Sequence, residues 1–172
     1  MSDPPDPDSY GRVTNPERYA PLHEFAQSAL DDVLARDDAG AEPVDGQLRR
    51  GRLVRVCPRS GGGGCIAFEV TPFPGVRLHV GRWHTYHFPR CGCDACDEQL
   101  AELEDEMTDL IDAFVGGRFT EFLDGGRLGH SWSSRSGSRR GWSELPASDA
   151  RRDQPAEYIE WPAWPPLTER RS

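Results

Sequence analysis

Three strand-like runs between Arg52 and Val80, two of them with apolar residues at alternate positions, are joined by short glycine- and proline-rich turns, a pattern that predicts an antiparallel meander. The first, 52–57, holds Leu53, Val54 and Val56. The second, 65–71, sets Ile66, Phe68 and Val70 against Ala67, Glu69 and Thr71. The third, 76–80, sets Val76, Leu78 and Val80 against Arg77 and His79. Gly61 to Gly64 joins the first pair, and Pro72-Phe73-Pro74-Gly75 turns tightly into the third. The alternation implies one buried face and one face that is solvated or shared. Residues 83–88, rich in aromatics, fit a fourth strand or an irregular bridge.

Two helices flank this meander. Asn15-Pro16-Glu17 offers a side-chain cap, a proline for the first turn and an early carboxylate, and Leu22, Phe25, Ala26, Ala29, Leu30, Val33 and Leu34 then recur with helical period to Arg36. Pro21 either kinks this helix or restarts it from its own first turn. A second helix is predicted from a cap at Asp97, with Leu100, Leu103, Met107, Leu110, Ile111 and Phe114 on one stripe and Gly116-Gly117 at its end. Phe119, Phe122 and Leu123 suggest a short helical turn. Residues 37–47 read as a loop, 125–141 as a flexible loop or ragged hairpin, and Tyr158 to Pro166 as an extended edge too rich in proline for a central strand.

The expectation is therefore an α+β fold: one domain over residues 14–166, with an antiparallel sheet of three or more strands and the two main amphipathic helices packed on one face. Residues 1–13 form a disordered lead-in and 167–172 a disordered tail. A chain of 172 residues suits one core better than two. With 29 acidic against 20 basic residues, a formal charge of −9 argues against general affinity for nucleic acid or anionic membrane. Lysine is absent, so the arginine count carries little information about guanidinium chemistry. The N-terminus has neither a basic region nor an apolar run, and no stretch nears the roughly 18 apolar residues of a spanning helix, so a cytoplasmic protein is expected.

Chemistry concentrates in Cys91-Gly92-Cys93-Asp94-Ala95-Cys96. A CxxC knuckle supplies two thiolates on one turn, and Cys91 offers a third, a donor set suited to structural zinc. His87 is the candidate fourth ligand and His84 the alternative, and Cys57 or Cys65 could arrive from the sheet edge. If residues 83–88 form a strand, three-residue spacing puts the two imidazoles on opposite faces and at most one reaches the cysteines. Thiol–disulfide exchange through Cys93 and Cys96 is the competing reading, favoured by a helix start and opposed by Asp94, Asp97 and Glu98. Each such carboxylate disfavours a thiolate about 6 Å away by roughly 1.4 kcal/mol, about one pKa unit, at an effective dielectric near 40. An iron–sulfur cluster needs the same fourth ligand. Five cysteines, an odd count, fit a reducing compartment.

Other clusters carry less. Glu98, Glu102, Asp105, Asp109 and Asp112 line the solvated face of the second helix. Arg49, Arg50, Arg52, Arg55 and Arg59 form one basic run, and Arg127, His130, Arg135, Arg139 and Arg140 a second, interleaved with Trp132 and Trp142. Pairing of these arginines with the acidic helix is preferred over nucleic-acid binding. Trp161 and Trp164, or the Trp132 to Trp142 region, could instead form the contact surface of a metal-free protein-interaction module. Gly61 to Gly64 lacks the lysine and hydroxyl of a phosphate loop, neither GxSxG nor HExxH occurs, and no catalytic residue is nominated.

Gly11-Arg12-Val13-Thr14-Asn15-Pro16-Glu17-Arg18-Tyr19, Phe73-Pro74-Gly75-Val76, Gly81-Arg82-Trp83-His84, the segment from Phe88 to Glu98 and Trp161-Pro162-Ala163-Trp164-Pro165 together resemble a family of bacterial proteins catalogued as a domain of unknown function. The resemblance spans residues 10–166. It implies a single bacterial domain and brings no activity, cofactor or substrate.

Overall fold

The computed structural model describes residues 10–44 and 52–168. Positions 1–9, 45–51 and 169–172 lie outside the described residues, and with them most of the expected lead-in and tail, part of the 37–47 loop, and Arg49 and Arg50.

The fold is mixed, with two helices and two antiparallel sheets. A 3₁₀ turn, Pro16–Tyr19, precedes helix α1, Pro21–Arg36. Pro21 therefore restarts the helix rather than kinking it, since its missing N–H is harmless in a first turn. Asn15 makes no side-chain cap. Strands β1 (Ala39–Pro43), β2 (Arg52–Pro58), β3 (Ile66–Thr71), β4 (Gly75–Val80) and β5 (His84–Phe88) follow as an antiparallel meander in sequence order. The register stacks Val54 beside Phe68, Phe68 beside Leu78 and Leu78 beside Tyr86 on the covered face. β1 replaces the expected loop over 39–43. Its sequence, Ala-Gly-Ala-Glu-Pro, has no strand pattern of its own and acquires one by pairing with β2.

On the opposite face Glu69 is buried at 4% exposure, yet it is satisfied by Arg77 at 3.1 Å and His79 at 2.7 Å. Burying a carboxylate between two donors avoids the large penalty of leaving it unpaired.

Helix α2, Leu100–Val115, buries Leu103, Met107, Leu110, Ile111 and Phe114, each worth about 1.5–3 kcal/mol of apolar transfer. It ends where Gly117 takes φ +70°, a conformation that favours glycine. Its start lies at Gln99, and Asp97, the expected cap, instead bonds Arg18 at 2.8 Å. α1 touches β1, β3 and β4, whereas α2 touches α1 and β7.

The second sheet was not expected. Strands β6 (Phe119–Asp124), β7 (Arg127–Ser133), β8 (Ser138–Glu144) and β9 (Glu157–Glu160) lie in the order β8-β7-β6-β9. Residues 119–123 are thus a strand rather than a helical turn, and 125–141 take the hairpin alternative, in the β7–β8 pair, rather than the flexible loop. β8 is an edge strand exposed along nearly its whole length, so no buried face marks it in sequence. β9 is the other edge, as the prolines after it require.

The tail then folds back on the body. Trp164 is 5% exposed, its ring centroid 6.2 Å from that of Phe114, and Pro166 bridges Asp37. Among the described residues, no helix is long and apolar enough to cross a membrane.

Candidate metal centre

β5 leads through Pro89 and Arg90 into the cysteines, and α2 begins shortly after them. At Gly92, φ is +73°, and a Cβ there would sit 2.9 Å from the Phe73 ring, so only glycine lets Cys91 and Cys93 turn back on each other. Their sulfurs are 3.0 Å apart. Cys96 closes the turn, its N–H and that of Asp97 both donating to the Cys93 carbonyl at 3.2 Å. The three Sγ atoms all lie within 4.8 Å of one another.

Two carboxylates hold the backbone of this knuckle. Glu98 accepts from the N–H groups of Arg90, Cys91 and Gly92 at 3.2, 3.0 and 3.4 Å. Asp94 accepts from the Thr14 N–H at 3.0 Å, the Thr14 hydroxyl at 3.1 Å and Arg12 at 3.3 Å, while its own N–H donates to the Arg12 carbonyl at 2.8 Å. Residues 10–13, expected to be part of a mobile lead-in, therefore strap the cysteine turn. Sequence reasoning missed this role, although Gly11-Arg12-Val13-Thr14 stood out as a motif.

The thiols differ in acidity. Cys93, 2% exposed, is drawn down to about 6, first by the Cys91 thiol donating to it and then by the Gly11 and Cys96 backbone N–H groups. Cys96 is pushed up to about 12, chiefly by its hydrogen bonds to Cys93 and then to Cys91. One anion is thus shared by three sulfurs, and the others resist ionising beside it. Carboxylates do not dominate as the residue spacing suggested, because Asp94, Asp97 and Glu98 each face an arginine: Arg12, Arg18 and Arg90.

Neither histidine joins the cluster. Strand alternation places His84 on the inner face, where its Nδ1 lies 3.0 Å from Glu121, and His87 on the outer face opposite Arg77. Burial, reinforced by Arg77 and His79, lowers the His87 pKa. Among the described residues, no imidazole or carboxylate brings a ligand atom within 4.8 Å of all three sulfurs. Cys57 and Cys65 are excluded as ligands as well. They sit opposite each other at the end of the β2–β3 pair, Cα atoms 4.4 Å apart, and form a disulfide. The odd thiol count thus resolves into one cystine and a free triad rather than five reduced cysteines.

The triad fits a thiophilic dication. Tetrahedral zinc with Zn–S near 2.3 Å sets its sulfurs about 3.8 Å apart, which lies within the spread seen here. Trp161 and Trp164 are turned to their own domain. Trp164 packs on Phe114, and the Trp161 indole donates to Glu121 at 2.8 Å. The exposed aromatics among the described residues are instead Tyr10, Phe73, Trp142 and Tyr158.

A second polar group, missed in the sequence, lies between the sheets. Glu121, 1% exposed, accepts from the N–H groups of Arg82 (2.7 Å) and Trp83 (3.2 Å) as well as His84 and Trp161. His130 stands edge-on to His84 at 4.8 Å and is lowered to about 4 by burial and then by His84. The one signal for this group was a glutamate at an inward position of the Phe119, Glu121, Leu123 alternation.

Fold and site together define an α+β protein of two antiparallel sheets that carries a three-cysteine knuckle able to hold a metal. A family of unknown function (DUF6226) matches residues 1–168, and the chain belongs to that family. No curated protein and no solved structure matches it.

Proposed function

We propose that Cys91, Cys93 and Cys96 bind zinc and that the metal fixes the knuckle as a partner-binding surface rather than a catalytic one. The observation that carries this reading is the convergence of three free sulfurs within 4.8 Å on a backbone already tied down by Glu98 and Asp94. A preformed turn reduces the ordering cost of binding, and zinc in turn shields thiolates from oxidation. The test is elemental analysis of protein purified without an affinity metal, beside a Cys93→Ser, Cys96→Ser variant. About one zinc per parent chain and none in the variant is expected; a zinc-free parent that also fails to take up added zinc refutes the reading.

A specific observation favours a second reading, thiol–disulfide exchange. Cys93 is drawn down to about 6 and lies 3.0 Å from Cys91. In that chemistry the exposed Cys91 passes its proton to the Cys93 thiolate, attacks a substrate disulfide and expels one substrate thiolate; Cys93, after losing that proton, then attacks Cys91 Sγ and expels the protein-bound substrate half as the second thiolate. The chain's two thiols are oxidised as the substrate is reduced. Alkylation rate against pH in metal-free protein separates the two readings: a midpoint near the ordinary cysteine value of about 8.5 removes this one.

A cytoplasmic location suits a reduced triad, and the Cys57–Cys65 disulfide is the feature that speaks against it. Cell fractionation decides between them.

A further inference from the structure

We propose that a divalent metal held by Cys91, Cys93 and Cys96 keeps its fourth coordination position for a donor from outside the chain, and that this donor is a neutral imidazole, the histidine side chain of a partner. The inference rests on the trithiolate reading and names the chemistry of the partner that reading calls for.

Among the described residues, the remaining cysteines and the histidines all lie away from the sulfur cluster. All five histidines and five cysteines lie among the described residues. Cys57 and Cys65 are bonded to each other. His23 is engaged with the Gly75 carbonyl at 3.1 Å, His79 with Glu69 and Thr85, and His84 with Glu121, while His130 lies against His84 on the inner face. His87 sits on the outer face of β5, outside the sulfur cluster. The neighbouring carboxylates are also committed: Asp94 to Thr14 and Arg12, Asp97 to Arg18, and Glu98 to three successive N–H groups. Recruiting any of them undoes the bonds that shape the knuckle.

The site also faces outward. Cys93 is buried and anchors the metal, whereas Cys91 and Cys96 are exposed, so the uncommitted vertex opens to solvent. Charge then selects the donor. Three thiolates and one dication carry a net charge of −1, and the adjacent carboxylates are each matched by an arginine. A fourth thiolate raises the centre to −2 on a chain whose formal charge is already −9. Imidazole adds no charge and completes a Cys₃His set, which is a stable zinc environment. The resulting centre is closed only when two molecules meet, so it acts as a latch between them.

The test uses full-length protein loaded anaerobically with Co²⁺, whose visible bands report the ligand set, titrated with imidazole and separately with 2-mercaptoethanol at pH 7. Saturable band shifts with imidazole are expected, with half-saturation about tenfold below that of the thiol, which must shed a proton and approach a negative centre. Thiolate-to-cobalt bands that imidazole leaves unchanged overturn the proposal, since the chain then closes the site itself. A response that appears only in a His87→Ala variant overturns it too, by making His87 the fourth ligand. Tighter binding of the thiol overturns the charge argument. Absence of thiolate-to-cobalt bands altogether is a different failure, that of the trithiolate reading beneath it.

Discussion

Replacing Glu121 by alanine tests whether the two sheets are held together by one buried carboxylate. Its oxygens accept four hydrogen bonds, from the Arg82 and Trp83 N–H groups, His84 Nδ1 and Trp161 Nε1. The first two donors lie on a turn that water reaches once the carboxylate is gone. The imidazole and indole remain between the sheets, and each unpaired buried donor costs about 1–3 kcal/mol. With the small cavity left behind, the loss comes to about 4 kcal/mol, which for a chain of this size lowers Tm by roughly 8–16 °C. Glu121→Gln is expected to cost only about 1–2 kcal/mol, because one oxygen survives and His84 can switch tautomer to accept from the new amide. Urea unfolding followed by tryptophan fluorescence, paired with calorimetry, measures both variants. An alanine variant within about 1 kcal/mol of the parent refutes the reasoning.

Further expectations follow from other positions. His130, at about 4 in the folded chain against about 6.5 unfolded, contributes stability that is complete above pH 6.5 and is lost as pH falls toward 4; His130→Gln should flatten that limb of the urea midpoint against pH. At Gly117 a Cβ would lie 2.5 Å from the Ala163 backbone N in a left-handed conformation, so Gly117→Ala is expected to cost about 3 kcal/mol, read by thermal unfolding. Cys57 and Cys65 close a loop with a sequence separation of 8, and on the chain-entropy account a Cys57→Ser, Cys65→Ser variant should lose about 2–3 kcal/mol in denaturant titration.

The parts of this fold legible in sequence are those whose burial is one-sided. The α2 stripe from Leu103 to Phe114 and the β2–β4 alternation write their packing directly into spacing, and the structure follows them to within a few residues. β1 and β8 carry no such stripe. One is made of alanine, glycine and proline, the other of exposed arginine, glycine and serine, and both are strands only because a neighbour pairs with them. At the site, Cys91, Cys93 and Cys96 announce themselves by proximity in the chain. His87, the candidate fourth ligand, and His84, its alternative, stand as near in sequence but lie outside the cluster, since proximity in the chain does not bring a strand residue's ring to the turn beyond it. Beyond its place in the Phe119, Glu121, Leu123 alternation, nothing near Glu121 in sequence marks it, because its donors come from segments nearly forty residues away on either side, Arg82 to His84 and Trp161.

The strap that reaches the knuckle from Gly11 to Thr14 makes the cysteine turn depend on an intact chain ahead of it. Arg12 and Asp94 are separated by 82 positions, so the thiol turn is stitched to a stretch of chain synthesised long before it. A single proteolytic nick between Val13 and Pro16 spares every cysteine, yet it frees the segment whose Gly11 amide steadies the Cys93 sulfur. On the metal reading proposed above, loss of this arm is expected to weaken metal binding without touching a ligand.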